Sequence, residues 1–153
     1  MPEAGPPDPG AAPRVVLGFD FGLRRIGVAC GDTLSGGASP LETVASEPAA
    51  LRWESIGAMM RTWQPDLAVV GLPYNVDGSD SDMTVAARRF AAELKRRYSI
   101  DVATVDERYS SHEAAARLKS ARASGVRRRR IAKADVDAAA ACVILERWFT
   151  EKL

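Results

Sequence analysis

The sequence predicts an α/β fold with a mixed five-stranded sheet and helices on both of its faces. Three observations predict it. Apolar, β-branched runs of strand length recur along the chain. The first three follow one another over short connections, which suits antiparallel neighbours. Only afterwards do strands alternate with helical patterns, which adds strands of the other direction.

Each element is justified by its own pattern. The run RVVLGFDF, Arg14–Phe21, reads as a buried strand ended by Gly22. The short turn Gly22–Arg25 leads into a second strand, Ile26–Cys30, as in a hairpin. Residues 38–46 can form a third. From Pro48 to Trp63 the spacing is helical, with Leu51, Ile56, Met59, Met60 and Trp63 on one broad face, and Pro65 ends it. Leu67–Val70 is a short apolar strand stopping at Gly71. Residues 82–98 form an amphipathic helix with Val85, Phe90 and Leu94 on one side. Ile100–Val105 is the fifth strand. Ser110–Ser111–His112–Glu113 resembles a capping box opening a helix to about Leu118. Ala134–Phe149 is a last, alanine-rich helix. Trp53, Trp63 and Trp148 fall at helical core spacings and read as packing rather than as base-stacking platforms.

The 153 residues suit one domain, 14–150, behind a disordered tail, 1–13, that holds five prolines and two glycines. No apolar run approaches membrane-spanning length, and the N-terminus lacks the basic start and apolar stretch of a secretory signal. Cys30 and Cys142 are far apart and form no CxxC pair, so neither a disulfide scaffold nor a zinc site is suggested. They read as small buried hydrophobes in a cytoplasmic protein. The net charge of +1 hides an asymmetry: Arg117–Lys133 holds eight basic residues and no acidic one. That stretch is either a phosphate-binding patch or a solvated loop.

The chemistry should sit on carboxylates at element ends. Asp20 lies between Phe19 and Phe21 in an apolar strand, where a charge is costly unless it is paired or binds metal. The plain alternative is a salt bridge to Arg24 or Arg25. Asp106 and Glu107 follow the fifth strand at its carboxyl end, where ligands gather in α/β sheets. Strand alternation sends them to opposite faces, so one looks into the site and the other is left to pair with Arg108. Asp106 is the preferred candidate. Asp137 opens the last helix; Asp135 suits the helix-dipole role better, which frees Asp137 to turn inward. Asp20, Asp106 and Asp137 together can hold Mg2+ or Mn2+. Such ions activate water and stabilise the leaving oxygen in phosphodiester hydrolysis. The turn-rich segment Gly71–Ser79 either receives a phosphate through its amides, Asn75 and Ser79, or is a plain strand-to-helix loop. His112, the only histidine, reads as a surface or capping residue.

Four segments in the same order resemble the YqgF/RuvX family of the ribonuclease H-like superfamily: GFDFGLRRIGVAC at 18–30, VVGLPYNVDGS at 69–79, VDERYSS at 105–111 and KADVDAAAACVILERWF at 133–149. The resemblance covers 14–150. It implies a ribonuclease H-like sheet and a metal-dependent nuclease whose acidic centre maps onto Asp20, the Asp106–Glu107 pair and Asp137. It also implies that the basic stretch with Arg127, Arg128, Arg129 and Arg130 lies near nucleic acid, with Lys133 at a phosphate. Two tasks follow from it: trimming the 5′ end of the small-subunit ribosomal RNA precursor, and cutting four-way DNA junctions. The second would call for a homodimer. This chain departs from the pattern in its longer N-terminal tail, its four consecutive arginines and a last helix with one inward acid, where relatives in the broader resolvase group can show a pair. The competing reading is a binding or ribosome-assembly factor on a nuclease-like fold, without hydrolysis. An actin-like phosphate-handling fold is remote, because the chain is short for two lobes and shows no second phosphate loop.

Overall fold

The structure is a computed structural model and describes residues 14–108 and 133–152, with the side chains of the last helix described from Val136 onward. The tail 1–13, the capping box and His112, and the arginine run lie outside the described residues, as does the side chain of Lys133. The elements are β1 (Val15–Phe21), β2 (Arg25–Asp32), β3 (Ala38–Ala45), α1 (Ala49–Trp63), β4 (Leu67–Leu72), α2 (Asp82–Tyr98), β5 (Asp101–Asp106) and α3 (Lys133–Lys152). Each expected strand and helix within the described range is present, and the bounds of α2 coincide with those expected.

The five strands run in the order β3-β2-β1-β4-β5. β1, β2 and β3 pair antiparallel, and β4 and β5 join parallel to β1 and to each other. The alternation of side chains divides the sheet into two cores. On one face Leu17, Phe19, Phe21, Ile26, Val28, Ala68, Val70 and Leu72 meet α1 and α2. Phe90 of α2 is the hub there, with ring centroids 5.7 Å from Phe19, 4.9 Å from Phe21 and 5.6 Å from Trp53. On the other face Val16, Ala29, Leu67, Val69 and Val105 meet α3 through Ala141, Ile144, Leu145 and Trp148.

The helix faces differ from expectation in detail. Leu51 and Trp63 are exposed, because they lie in the first turn and at the last residue of α1 while Trp53, Ile56 and Met59 carry its core contact. In α2, Val85 is exposed and Thr84 is fully buried. The reason is a capping box: Ser81 Oγ accepts from the Thr84 amide, Thr84 Oγ1 accepts from the Ser81 amide, and the Thr84 hydroxyl also donates to the Pro73 carbonyl. Such caps are worth about 1 kcal/mol. This one fastens the loop after β4 to the start of α2. Cys142 is buried as expected, whereas Cys30 is half-buried. Among the described residues no helix is long and apolar enough to cross a membrane.

Candidate active site

Strand parity decides what faces α3. In β1 the residues Val16, Gly18 and Asp20 point to that face, and Leu17, Phe19 and Phe21 point away. In β2 the same face carries Arg25, Gly27 and Ala29. Asp20 stands opposite Gly27 in the antiparallel ladder. A Cβ on Gly27 would collide with the backbone carbonyl of Asp137, so the missing side chain is what lets the first turns of α3 lie against the sheet beside Asp20. Gly18 serves the same purpose further along, where a Cβ would sit 2.5 Å from Cγ of Leu145.

Glu107 reaches the same place from β5. Val105 belongs to the α3 core, so Glu107, two residues on, shares its face, and Asp106 faces the other way. The Glu107 amide donates to the Leu72 carbonyl and extends the ladder by one bond. Its carboxyl lies over Gly71, where a Cβ would come within 2.9 Å of Cδ. Arg147 of α3 holds this segment by its backbone, donating to the Asp106 carbonyl at 2.8 Å and to the Arg108 carbonyl at 3.3 Å.

The carboxyls of Asp20 and Glu107 are hydrogen-bonded to each other, and Glu107 is only 8% exposed. Burial is the main cause of their altered acidity. It raises Asp20 to about 6, with the shared hydrogen bond pulling down and the charge of Asp137 pushing up. It raises Glu107 to about 9, reinforced by the charge of Asp20 and offset only in part by Arg147. Asp137 is thus close enough to act on Asp20 through its field. Its own carboxylate accepts from Arg25 Nε at 2.6 Å. Among the described residues no three acid, imidazole or thiol groups are drawn close enough to enclose an ion as they stand.

The preference for Asp106 as the inward acid is corrected by this geometry. Asp106 turns to Arg108, which bonds both of its oxygens through Nε, at 3.2 and 2.9 Å. That pair holds its carboxyl below the ordinary range. Parity alone could not decide the matter, since β5 carries apolar residues on both faces, Val102 on one and Val105 on the other. The salt bridge considered for Asp20 is also absent among the described residues: Arg25 goes to Asp137 instead. The sequence offers one signal for Arg147: with Glu146 it forms a charged pair inside the apolar stretch CVILERWF of α3.

Asn75 and Ser79 lie in the loop after β4, at the carboxyl end of the strand. Their groups are engaged within the loop. Asn75 Nδ2 donates to Ser79 Oγ at 3.0 Å, and the Ser79 amide and hydroxyl both donate to Asp77 Oδ1, at 2.9 and 2.7 Å. Arg108 ties the loop to β5 by donating to the Val76 carbonyl at 2.9 Å. The arrangement is that of a self-bonded loop.

Residues 14–151 match the family model RuvX, described as Holliday junction resolvase. A protein of Edwardsiella ictaluri named "Putative pre-16S rRNA nuclease" is 46% identical over 137 residues, 90% of this chain and 95% of its own length. A Xylella fastidiosa protein of the same name is 44% identical over 153 residues, all of this chain and 96% of its own. Among solved structures, Thermus thermophilus RuvC in complex with a Holliday junction substrate is similar with a TM-score of 0.51 at 17% identity, covering 90% of this chain and 94% of that one. The yeast mitochondrial Holliday junction resolvase Ydc2 is similar with a TM-score of 0.51 at 12% identity, covering 88% and 77%. At these identities the likeness is one of fold, the ribonuclease H-like arrangement.

Proposed function

The chain belongs to the RuvX family of Holliday junction resolvases, and we infer from that membership and from its pair of touching acids, Glu107 buried and Asp20 half-buried, that it hydrolyses phosphodiester bonds in nucleic acid with divalent metal. The observation that carries the reading is the contact between Asp20 and Glu107 on the α3 face, with Asp137 beside them. Two carboxyls in contact and largely shielded from water would be costly to ionise side by side. Both are raised, and Arg147 relieves Glu107 only in part. A hard dication suits this all-oxygen donor set. Asp20, Glu107 and Asp137 are the proposed ligands of Mg2+ or Mn2+. The metal's chemistry there is activation of water and stabilisation of charge on the leaving oxygen.

The chain's own residues must do three things. Asp20 and Glu107 must give up the proton they share, because a ligating carboxylate is deprotonated. Asp137 must present an oxygen toward Asp20 while Arg25 competes for its carboxylate at Oδ2. Arg147 must keep Glu107 in place by its hold on the carbonyls either side of it. Contacts to phosphates are assigned to Arg127, Arg128, Arg129, Arg130 and Lys133, whose charge suits a polyanion. Asn75 and Ser79 are supported as stiffeners of the loop rather than as phosphate ligands. Asp106 is assigned to orienting Arg108. The expected compartment is the cytoplasm.

The two tasks named for relatives, pre-16S rRNA processing and junction resolution, share one hydrolytic centre. Side-by-side cleavage separates them: a fragment spanning the 5′ end of pre-16S rRNA against a synthetic four-way junction, each with Mg2+, with Mn2+ and with chelator. Product is expected from one substrate with metal, none with chelator, and none from Asp20→Asn. Junction cutting should accompany a homodimer, since a junction has two symmetric cleavage points. If Asp20→Asn cuts as fast as wild type, the mechanism is wrong. Metal-independent binding without product would establish the alternative, a non-catalytic binding factor.

A further inference from the structure

We propose that Arg25 is a cation surrogate built into the site, competing with divalent metal for Asp137. The inference rests on the metal reading above and deepens it. Arg25 lies on the α3 face of β2, two residues from Gly27, the residue paired with Asp20. Its Nε is 2.6 Å from Asp137 Oδ2. The ion pair is therefore beside the acid pair, on the same side of the sheet. Its side chains are 37% and 25% exposed, so solvent cations can reach it.

An ion bound between Asp20 and Asp137 would draw on the carboxylate that Arg25 now engages. A dication and a guanidinium sharing one carboxylate repel each other, and in partly buried surroundings that repulsion is weakly screened. Arg25 holds one oxygen of that carboxylate, so metal on Asp137 and the guanidinium each weaken the hold of the other. Arg25 offsets the charge of Asp137, which would otherwise act undiminished on Asp20. The pair thus positions Asp137 against the sheet and sets a threshold for metal loading. Arg25 acts through Asp137 and is a positioning residue.

The readout is metal affinity, measured as free Mn2+ by electron paramagnetic resonance without nucleic acid. Arg25→Ala should bind Mn2+ about three- to tenfold more tightly than wild type, where tenfold corresponds to about 1.4 kcal/mol. Arg25→Lys should fall between the two. Arg24→Ala, which removes the same charge from an exposed neighbour, should bind as wild type does. A residue needed only for folding would give the opposite sign, since a loosened site binds metal less well. Arg25→Gln keeps much of the side chain's bulk and replaces the alanine variant if that fails to fold. Affinity unchanged or weakened in folded Arg25→Ala or Arg25→Gln overturns the competition, as does equal tightening by Arg24→Ala. Wild-type protein that binds no Mn2+ overturns the metal reading, and the competition with it.

Discussion

The carboxyl groups of Asp20 and Glu107 share a hydrogen bond, one from the middle strand of the sheet and the other from just beyond its edge strand β5. The pair is held by parity on β1 and β5 and by the bare backbone of Gly71 beneath the Glu107 carboxyl. The neighbouring acid Asp106 has the opposite orientation and a different partner, Arg108. Two adjacent acids of similar chemistry therefore have separate consequences.

Glu107→Gln should lower metal-dependent cleavage by more than about 100-fold, beyond what loss of an outer partner of a metal ligand costs. Asp106→Asn should change it by no more than about fivefold, the ceiling for a half-exposed ion pair. Single-turnover cleavage rates of the two variants check the assignment. Equal losses would show that the orientation of the two acids does not govern catalysis.

Stability should depend on pH through the same pair. Both acids hold protons more strongly in the folded chain than in the unfolded one. Raising the pH therefore favours unfolding, from 4.5 to about 9 for Glu107 and from 3.8 to about 6 for Asp20. The contribution is complete below those intervals and gone above them. In chelator, urea midpoints should fall between pH 5 and pH 9. Glu107→Gln should flatten that fall and raise stability at pH 8 by roughly 1–3 kcal/mol. A wild-type midpoint that rises over this range would contradict the proton-sharing arrangement.

Gly27→Ala should destabilise the protein by about 1–3 kcal/mol or more, because its Cβ would meet the Asp137 carbonyl, a backbone atom with little room to yield. Gly37→Ala, where the nearest neighbour of a Cβ is Ser35 Oγ at 3.5 Å, should be close to neutral. Gly27→Ala should also lose cleavage, since α3 can no longer bring Asp137 to Asp20. Thermal denaturation and cleavage of the two variants, measured together, test the packing.

Arg147→Met should cost about 1.5–3 kcal/mol of stability, the range for hydrogen bonds made by a charged group. It should reduce cleavage as well, because the backbone either side of Glu107 loses its anchor on α3. Arg147→Lys should recover part of the stability and less of the activity, since an ammonium does not reproduce the planar fork that reaches both carbonyls. Full activity in Arg147→Met would remove this residue from the support of the site.

Element order, strand and helix type and the mixed sheet were determined by the sequence alone, because local periodicity carries them. The isolation of Asp20 in an apolar strand was equally plain, since a charge between two phenylalanines conflicts with its surroundings whatever the fold. Parity also established that Asp106 and Glu107 must part company. Which of them turns inward was decided only by tertiary structure. Alternation gives relative facing along a strand, and the absolute face depends on where α3 docks, which in turn depends on glycines in three different strands. The partner of Arg25 was open for the same reason: the residue that claims it, Asp137, comes from a helix remote in sequence and is brought there by packing.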